Sequence, residues 1–387
     1  MARKSFLFSF LLLVLITHVY RFSSGAATTA ITSHDRETAL PKELRLKLRA
    51  PSSGMSEAID LVNEYLPVPN FDISPRTEPS TTVVSGFFPP PGENLVRANS
   101  SGTFWRENDA YLDGLKLLAA VSQYLVVFVP PGNYAEAMRN LTNVLVLDHY
   151  STPWDMPHLK GRKDVFYGRQ AELSPLTGGP YGEPHSWGAW NSKAFMVMEA
   201  IQLDPFRTSH FAWLDCRVPS MAMEYSAQVS EDGWKRKWPL RAAMNNVYNT
   251  MPADRAVLSA LKRPLRKIGT KYWPEKLEDG TMADAFMTDI HAICANLFFG
   301  TKGAMARLSR ALLVLLERDL ARGYFVGREE FQMSYAHFEF MDLVAVVEVF
   351  RQKPDYKSLF HWVFRRLGDP DTDWSGLGLE QREPTME

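Results

Sequence analysis

Four apolar residues, Phe211-Ala212-Trp213-Leu214, run directly into Asp215. Burial of such a run fixes its backbone, so a carboxylate on the next position is held where the strand meets solvent. Two chemistries suit that acid. It can cap the turn that follows, or it can hold a hard cation, because Mg²⁺ and Mn²⁺ bind through one or two protein carboxylates plus substrate phosphate oxygens. A second charged group, Arg328-Glu329-Glu330, follows Gly327 and precedes a helical pattern. Acids suit the first turn of a helix because they face its positive end. Equally, Glu329 or Glu330 could act as a base that deprotonates an acceptor hydroxyl.

Several other chemistries are excluded. There is no H-E-x-x-H, no C-x-x-C pair and no G-x-S-x-G elbow. His149, His185, His210, His291 and His337 are scattered through the chain and carry no ligand spacing. The glycine-rich stretch Thr177–Gly188 has the spacing of neither a P-loop nor a dinucleotide fingerprint, and reads as a loop or mobile flap.

The elements that must position these residues alternate along the chain. Thr81–Phe88 is a β-branched and aromatic run that stops at three prolines, as a strand does. Tyr111, Leu112, Leu115, Leu118 and Ala119 recur at helical spacing. Tyr124–Pro131 reads as a second strand, a short helix follows, and Asn143–Ser151 reads as a third strand. A helix is expected from Ser192 to about Leu203, opened by the capping-type residue Asn191 and stopped by Asp204-Pro205. The Asp215 strand comes next. Toward the C-terminus the pattern is a strand, a Gly-Thr-Lys-Gly turn, a long amphipathic helix, a loop and a second helix. Met305, Leu308, Leu312, Leu315 and Leu316 share one face of the long helix. Strands without internal alternation, separated by helices, predict an α/β protein with a mixed, mostly parallel Rossmann-type sheet flanked by helices. In such a sheet ligands collect outside the carboxyl ends of the strands, where Asp148, Asp215 and the loop after Phe299 are expected.

The chain has 387 residues, 45% hydrophobic and 22% charged, with a net charge of −1. It can bury a large core, and it has no overall basic field to draw it to nucleic acid. The basic runs Lys235–Arg241 and Lys262–Lys271 read as solvated faces. Arg3 and Lys4 precede the apolar stretch Ser5–Tyr20, with Ser24-Gly25-Ala26 after it. This is either a cleaved signal peptide or a signal anchor over residues 1–25, and it sends the remainder into the secretory lumen. Residues 26–80 read as a stem, mostly disordered, residues 81–367 as the folded domain, and 368–387 as a disordered tail. Asn99-Ser100-Ser101 and Asn140-Leu141-Thr142 are glycosylation sequons. The two cysteines, Cys216 and Cys294, allow one bridge or two buried thiols.

Trp190–Cys216, "WNSKAFMVMEAIQLDPFRTSHFAWLDC", resembles a motif of the HtrL-like (WlaTC-like) family of glycosyltransferases. In that family a W-N-S/A-K stretch opens a helix, an N-P-F-type turn follows, and an aromatic strand ends in aspartate. "NLFFGTKGAMARL…RGYFVGREEFQM" and the early "TVVSGFF…YLVVFV" strands are also similar, so the likeness covers roughly residues 81–343. It implies a GT-A-like fold that transfers a sugar from a nucleotide-sugar donor to an acceptor hydroxyl, commonly with Mn²⁺ or Mg²⁺. Asp215 would hold the metal or diphosphate, and Lys193 and Asn191 would face the donor. Gly300 and Thr301 would border the sugar, and Glu329 and Glu330 would lie near a glycan or glycoconjugate acceptor. The implied setting is a single-pass type II protein of the Golgi membrane, the alternative being a secreted one. The alternative function is a catalytically degenerate relative that binds a glycan or a protein. The sequence departs from the motif at Asp215-Cys216-Arg217-Val218, which supplies no second aspartate in D-x-D register.

Overall fold

The computed structural model describes residues 80–90, 108–174, 183–219, 239, 241–250, 253–260, 293–340, 342–348 and 367. The expected signal, stem and tail lie outside these residues, as do the Asn99 sequon, His291 and the run Lys262–Lys271. No helix among the described residues is long and apolar enough to cross a membrane.

The first half of the chain supplies β1 (Thr81–Gly86), α1 (Asn108–Val121), β2 (Tyr124–Phe128), α2 (Asn133–Arg139) and β3 (Val144–Leu147). Next come a helical stretch α3 (residues 163–173) with a π turn at Phe166–Gln170, then α4 (Pro184–Asn191), α5 (Lys193–Leu203) and β4 (His210–Leu214). The second half supplies α6 (Arg241–Thr250), β5 (Ala256–Ala260), β6 (Ile293–Thr301), α7 (Lys302–Arg322), α8 (Glu329–Glu339) and β7 (Val344–Glu348).

The strands form one seven-stranded sheet in the order β3-β2-β1-β4-β6-β5-β7. β1 pairs in parallel with β2 and β4, β2 with β3, and β5 with β7, whereas β6 runs antiparallel to both β4 and β5. The molecule is therefore an α/β protein with a mixed sheet, parallel through its first half. Both faces of the sheet are covered, which is why its strands are apolar throughout rather than alternating. Val84, Val126, Phe211, Trp213 and Phe298 pack on one face beneath residues of α5, α7 and α8. Val83, Leu125, Ala212, Leu214 and Phe299 pack on the other, against Leu115 and Leu118 of α1 and Ala135 and Met138 of α2.

Three elements differ from the sequence reading. The end of the glycine-rich stretch is helical, because Pro184 begins α4 with its ring already set to a helical φ. The last apolar run is the strand β7 rather than a continuation of the second helix. α8 ends at Glu339 with Phe340 as its cap, and three valines in five residues favour extended backbone. β5 and α6 were not separated from their surroundings by periodicity.

The chain passes from β1 outward through β2 and β3, then returns to the other side of β1 as β4. In open α/β sheets such a reversal is where a crevice forms and ligands bind, beyond the carboxyl ends of the strands, here β1 and β4. Asp215 directly follows β4.

Candidate active site

The turn between α5 and β4 places the first charged pair. Asp204 ends α5 in the left-handed conformation at φ 37°, and its Oδ1 accepts the Thr208 N–H at 3.1 Å while Oδ2 pairs with Lys302 at 2.7 Å. This reversal brings the N-terminus of α5, which carries Lys193, back to the carboxyl end of β4. Gly86 at the end of β1 lets α5 lie close, since a Cβ there would stand 2.7 Å from Met196 Sδ.

Lys193 is 4% exposed and is the centre of the site. Its Nζ lies 2.9 Å from Asp215 Oδ1 and 2.7 Å from Glu329 Oε1, and donates to Asp215 Oδ2 at 3.1 Å and to the Ala295 carbonyl of β6 at 3.2 Å. Trp213 lies on the same face as Asp215, two residues earlier, and its indole N–H donates to Asp215 Oδ1 at 2.7 Å. The ammonium also stands 5.7 Å from the Trp213 ring centroid. Asp215 is thus bonded well beyond its own turn. Its backbone N–H extends the β4–β6 ladder to the Asn296 carbonyl at 2.9 Å.

The electrostatics follow from burial and pairing. Burial opposes the charge on Lys193, but Asp215 and Glu329 outweigh it, so the pKa is raised and the ammonium is kept. Burial raises the pKa of Asp215, with Lys193 and the Trp213 N–H pulling it down and Glu330 pushing it up. Glu329 is likewise raised by burial, opposed by Lys193 and reinforced by Glu330. These shifts leave two carboxylates of increased basicity around one permanent cation.

An ammonium has three protons, and Lys193 spends them on Asp215, Glu329 and Ala295. It is a clamp between β4, β6 and α8, with no proton left for a ligand in this arrangement. Asp215 keeps spare lone-pair capacity on Oδ2, and 27% of its side chain is exposed. The described residues do not fit a divalent cation here. A metal about 2.1 Å from Asp215 would have to displace or crowd the ammonium, and no cluster of three metal-binding side chains occurs among the described residues.

The remaining expected residues fall in different places. Glu330 pairs with Arg328 beside Glu329 at the start of α8. Asn191 is buried at the end of α4 and does not cap α5. Its amide donates to the carbonyls of Trp187 at 2.8 Å and Val326 at 2.7 Å, tying α4 to the loop before α8. Gly300 and Thr301 are not brought to the crevice. β6 is antiparallel, so Thr301 stands opposite His210 at the start of β4, while Leu297 stands opposite Leu214. At about 3.3 Å per residue, that is on the order of 13 Å from the Asp215 end. Thr301 instead caps α7, accepting from the Ala304 N–H at 3.3 Å. Asp148 follows β3 and pairs with Arg139 of α2.

His149 pairs with Glu199 at 2.9 Å, and burial lowers the pKa of His185, of His210 to about 4 and of His337 to about 4. Cys216 and Cys294 are buried free thiols, the first pushed up to about 12 and the second well above its ordinary value by burial. Asn140 of the second sequon is exposed at the end of α2.

Other groups at the crevice were not singled out from sequence. Phe87 after β1 stacks on Tyr111 of α1 at 4.3 Å, and the Arg217 guanidinium lies 5.6 Å over the Tyr111 ring. Trp213 could have been found, because alternation along a strand puts residues 213 and 215 on one face. The Ala295 carbonyl carries no side-chain signal at all.

No family model matches the chain, and no curated protein matches it.

Proposed function

We propose that this protein is a glycosyltransferase of GT-A type, acting on a nucleotide-sugar donor and a glycan or glycoconjugate acceptor in the lumen of the secretory pathway, where its N-terminal segment anchors it. The observation that carries this reading is the convergence of Lys193, Asp215 and Glu329 at the carboxyl end of β4, beside the crevice where the strand order reverses.

In this reading Lys193 holds Asp215 and Glu329 at fixed separation, a preorganisation that removes reorganisation from the chemical step. The acceptor hydroxyl attacks the anomeric carbon of the donor and its proton passes to Glu329. The bond to the diphosphate breaks, and the diphosphate leaves with the electron pair. The raised pKa of Glu329 suits that task, since a base is most useful when its pKa approaches the working pH. Arg217, over Tyr111 and after the same strand as Asp215, is a cation suited to a diphosphate.

The test is release of nucleoside diphosphate by the purified full chain in detergent, offered a panel of nucleotide sugars with and without Mn²⁺. Donor-dependent release is expected, falling at least 100-fold (about 2.7 kcal/mol) in Asp215→Ala. Equal rates in the wild type and that variant would overturn the assignment. A second reading is favoured by the saturated donors of Lys193 and by Arg217 standing where a D-x-D pattern needs an acid. It makes the protein a non-catalytic glycan or protein binder. Calorimetry separates the two, because such a binder gives no heat with nucleoside diphosphates.

A further inference from the structure

The sequon Asn140-Leu141-Thr142 has no part in the chemistry proposed above, and the fold presents it to solvent. It forms the turn from α2 into β3. The turn is held from both sides. The Leu141 N–H donates to the Met138 carbonyl at 3.2 Å, and the Val144 N–H donates to the Leu141 carbonyl at 3.1 Å. The Asn143 side chain donates to the carbonyls of Ala119 and Ser122, at and just past the end of α1, at 2.8 and 2.9 Å. Leu141 is the inward residue, packed against the core that α1 and α2 share. Asn140 and Thr142, on either side of it, are exposed. Neither the Asn140 side-chain amide nor the Thr142 hydroxyl has a hydrogen-bond partner among the described residues.

Beside this turn runs an open strand edge. β3 ends the sheet, and among the described residues no strand lies on its outer side. The Asn143 and Leu147 carbonyls accept from Leu125 and Val129 at 2.9 and 3.2 Å, so alternation along the strand turns the carbonyls of Val144 and Val146 outward. An apolar strand, Val-Leu-Val-Leu, with such an edge is a template for pairing with another chain, and native proteins cover or charge edges of this kind.

We propose that Asn140 carries an N-linked glycan, and that this glycan covers the free edge of β3. Its attachment requires the lumenal placement proposed above and is independent of sugar transfer by this chain. The co-reactant is a lipid-linked oligosaccharide diphosphate, delivered by the glycosylation machinery of the lumen. The Asn140 amide nitrogen bonds to the anomeric carbon and gives up one proton. The bond from that carbon to the diphosphate breaks, and the diphosphate leaves with the electron pair. The attached sugar is bulky and hydrophilic, and the outward-facing Asn140 and Thr142 leave it room. It also leaves the candidate site clear. β3, β2, β1 and β4 are parallel, so the sequon lies at their amino ends and Asp215 at their carboxyl ends, on the order of 10 Å apart along the strands.

The test uses the full chain expressed in insect cells, with a reporter sequon fused after Glu387. N-glycosidase in heavy-oxygen water turns each glycosylated asparagine into labelled aspartate, which peptide mass spectrometry locates. Label is expected at position 140 and at the reporter. Label at the reporter but not at 140 overturns the glycan and leaves the lumenal placement standing; label at no position overturns both. Thr142→Ala, which keeps Asn140, should lose the label at 140, and Thr142→Ser should retain it. Light scattering in one detergent then compares the wild type with Asn140→Gln and Thr142→Ala. Both variants should show a mean molar mass raised by about twofold or more over the wild type, through pairing at the bare edge. An unchanged mass in both overturns the covering role. If Asn140→Gln does not fold, Thr142→Ala decides alone.

Discussion

At the scale of single residues, the lysine at the centre of the site has an uneven relation to its partners. Removing Lys193 leaves Asp215 and Glu329 facing one another with burial working against both charges, and breaking such a buried pair by deleting one partner costs about 3–5 kcal/mol. Removing charge from Asp215 is milder, because Lys193 keeps Glu329 and the Ala295 carbonyl. The loss there is about that of a hydrogen bond to a charged group, roughly 1.5–3 kcal/mol. Urea unfolding of Lys193→Met and Asp215→Asn at neutral pH should therefore rank the lysine variant as clearly the less stable. Equal losses would mean that Lys193 is not the shared counter-ion. The sequence revealed part of this. Asp215 was visible because an apolar strand ending in an acid is a local pattern. Glu329 was visible as an acid opening a helical pattern and Lys193 was named through a resemblance, but their pairing is tertiary, joining α5 to α8 across the end of the sheet. Gly300 and Thr301 were misplaced for a related reason. A strand's direction in the sheet is not written in its own residues, and β6 runs opposite to β4.

At the scale of elements, the rim of the crevice depends on how closely α1 approaches the turn after β4. Gly114 sits in the interior of α1, where alanine would ordinarily add about 1 kcal/mol of helix stability. A Cβ at that position would run into the Cys216 carbonyl oxygen, with the carbonyl carbon at 3.0 Å and Arg217 Cα at 3.6 Å. Both helix and turn would have to shift, and overpacking of this kind costs about 1–3 kcal/mol. The clash outweighs the propensity. Gly114→Ala should lower the unfolding midpoint in urea, and a stabilised variant would show that the helix does not lie against the turn. The legible elements were those with strong periodicity or plain punctuation: β1 before its prolines, α5 before Asp204-Pro205, and α7 with its apolar stripe. β5 and β7 are five residues each and carry no turn signature of their own. The valines of β7 favour extended backbone, but the placing of β5 between β6 and β7 is a long-range fact that local propensity does not contain.

At the scale of the whole molecule, the buried titratable groups pull stability in opposite directions as pH changes. His158 is buried against Phe195, with its Nε2 3.3 Å from Ser192 Oγ, and burial together with Arg162 lowers its pKa to about 3. His210 is lowered to about 4 by burial. Below the unfolded histidine pKa of about 6.5 the unfolded chain takes up protons that the folded chain refuses. Stability from these groups is complete above that value and is lost as pH falls toward 4. Asp215 and Glu329 have the opposite sign. Their raised pKa values let the folded chain bind protons that the unfolded chain has released, so their contribution improves as pH falls. A single unfolding curve against pH mixes the two, and a variant separates them. At about 1.4 kcal/mol per pH unit, His158 alone should withdraw about 2 kcal/mol between pH 7 and pH 5. His158→Gln keeps a polar group beside Ser192 but cannot take a proton, so its loss of stability over that interval should be smaller than the wild type's by about that amount. Urea midpoints at pH 7, 6 and 5 measure the difference directly. Parallel pH curves for the two proteins would mean that His158 is protonated as readily in the folded chain as in the unfolded one, and that the packing of α5 against residues 153–162 is wetter than its burial implies.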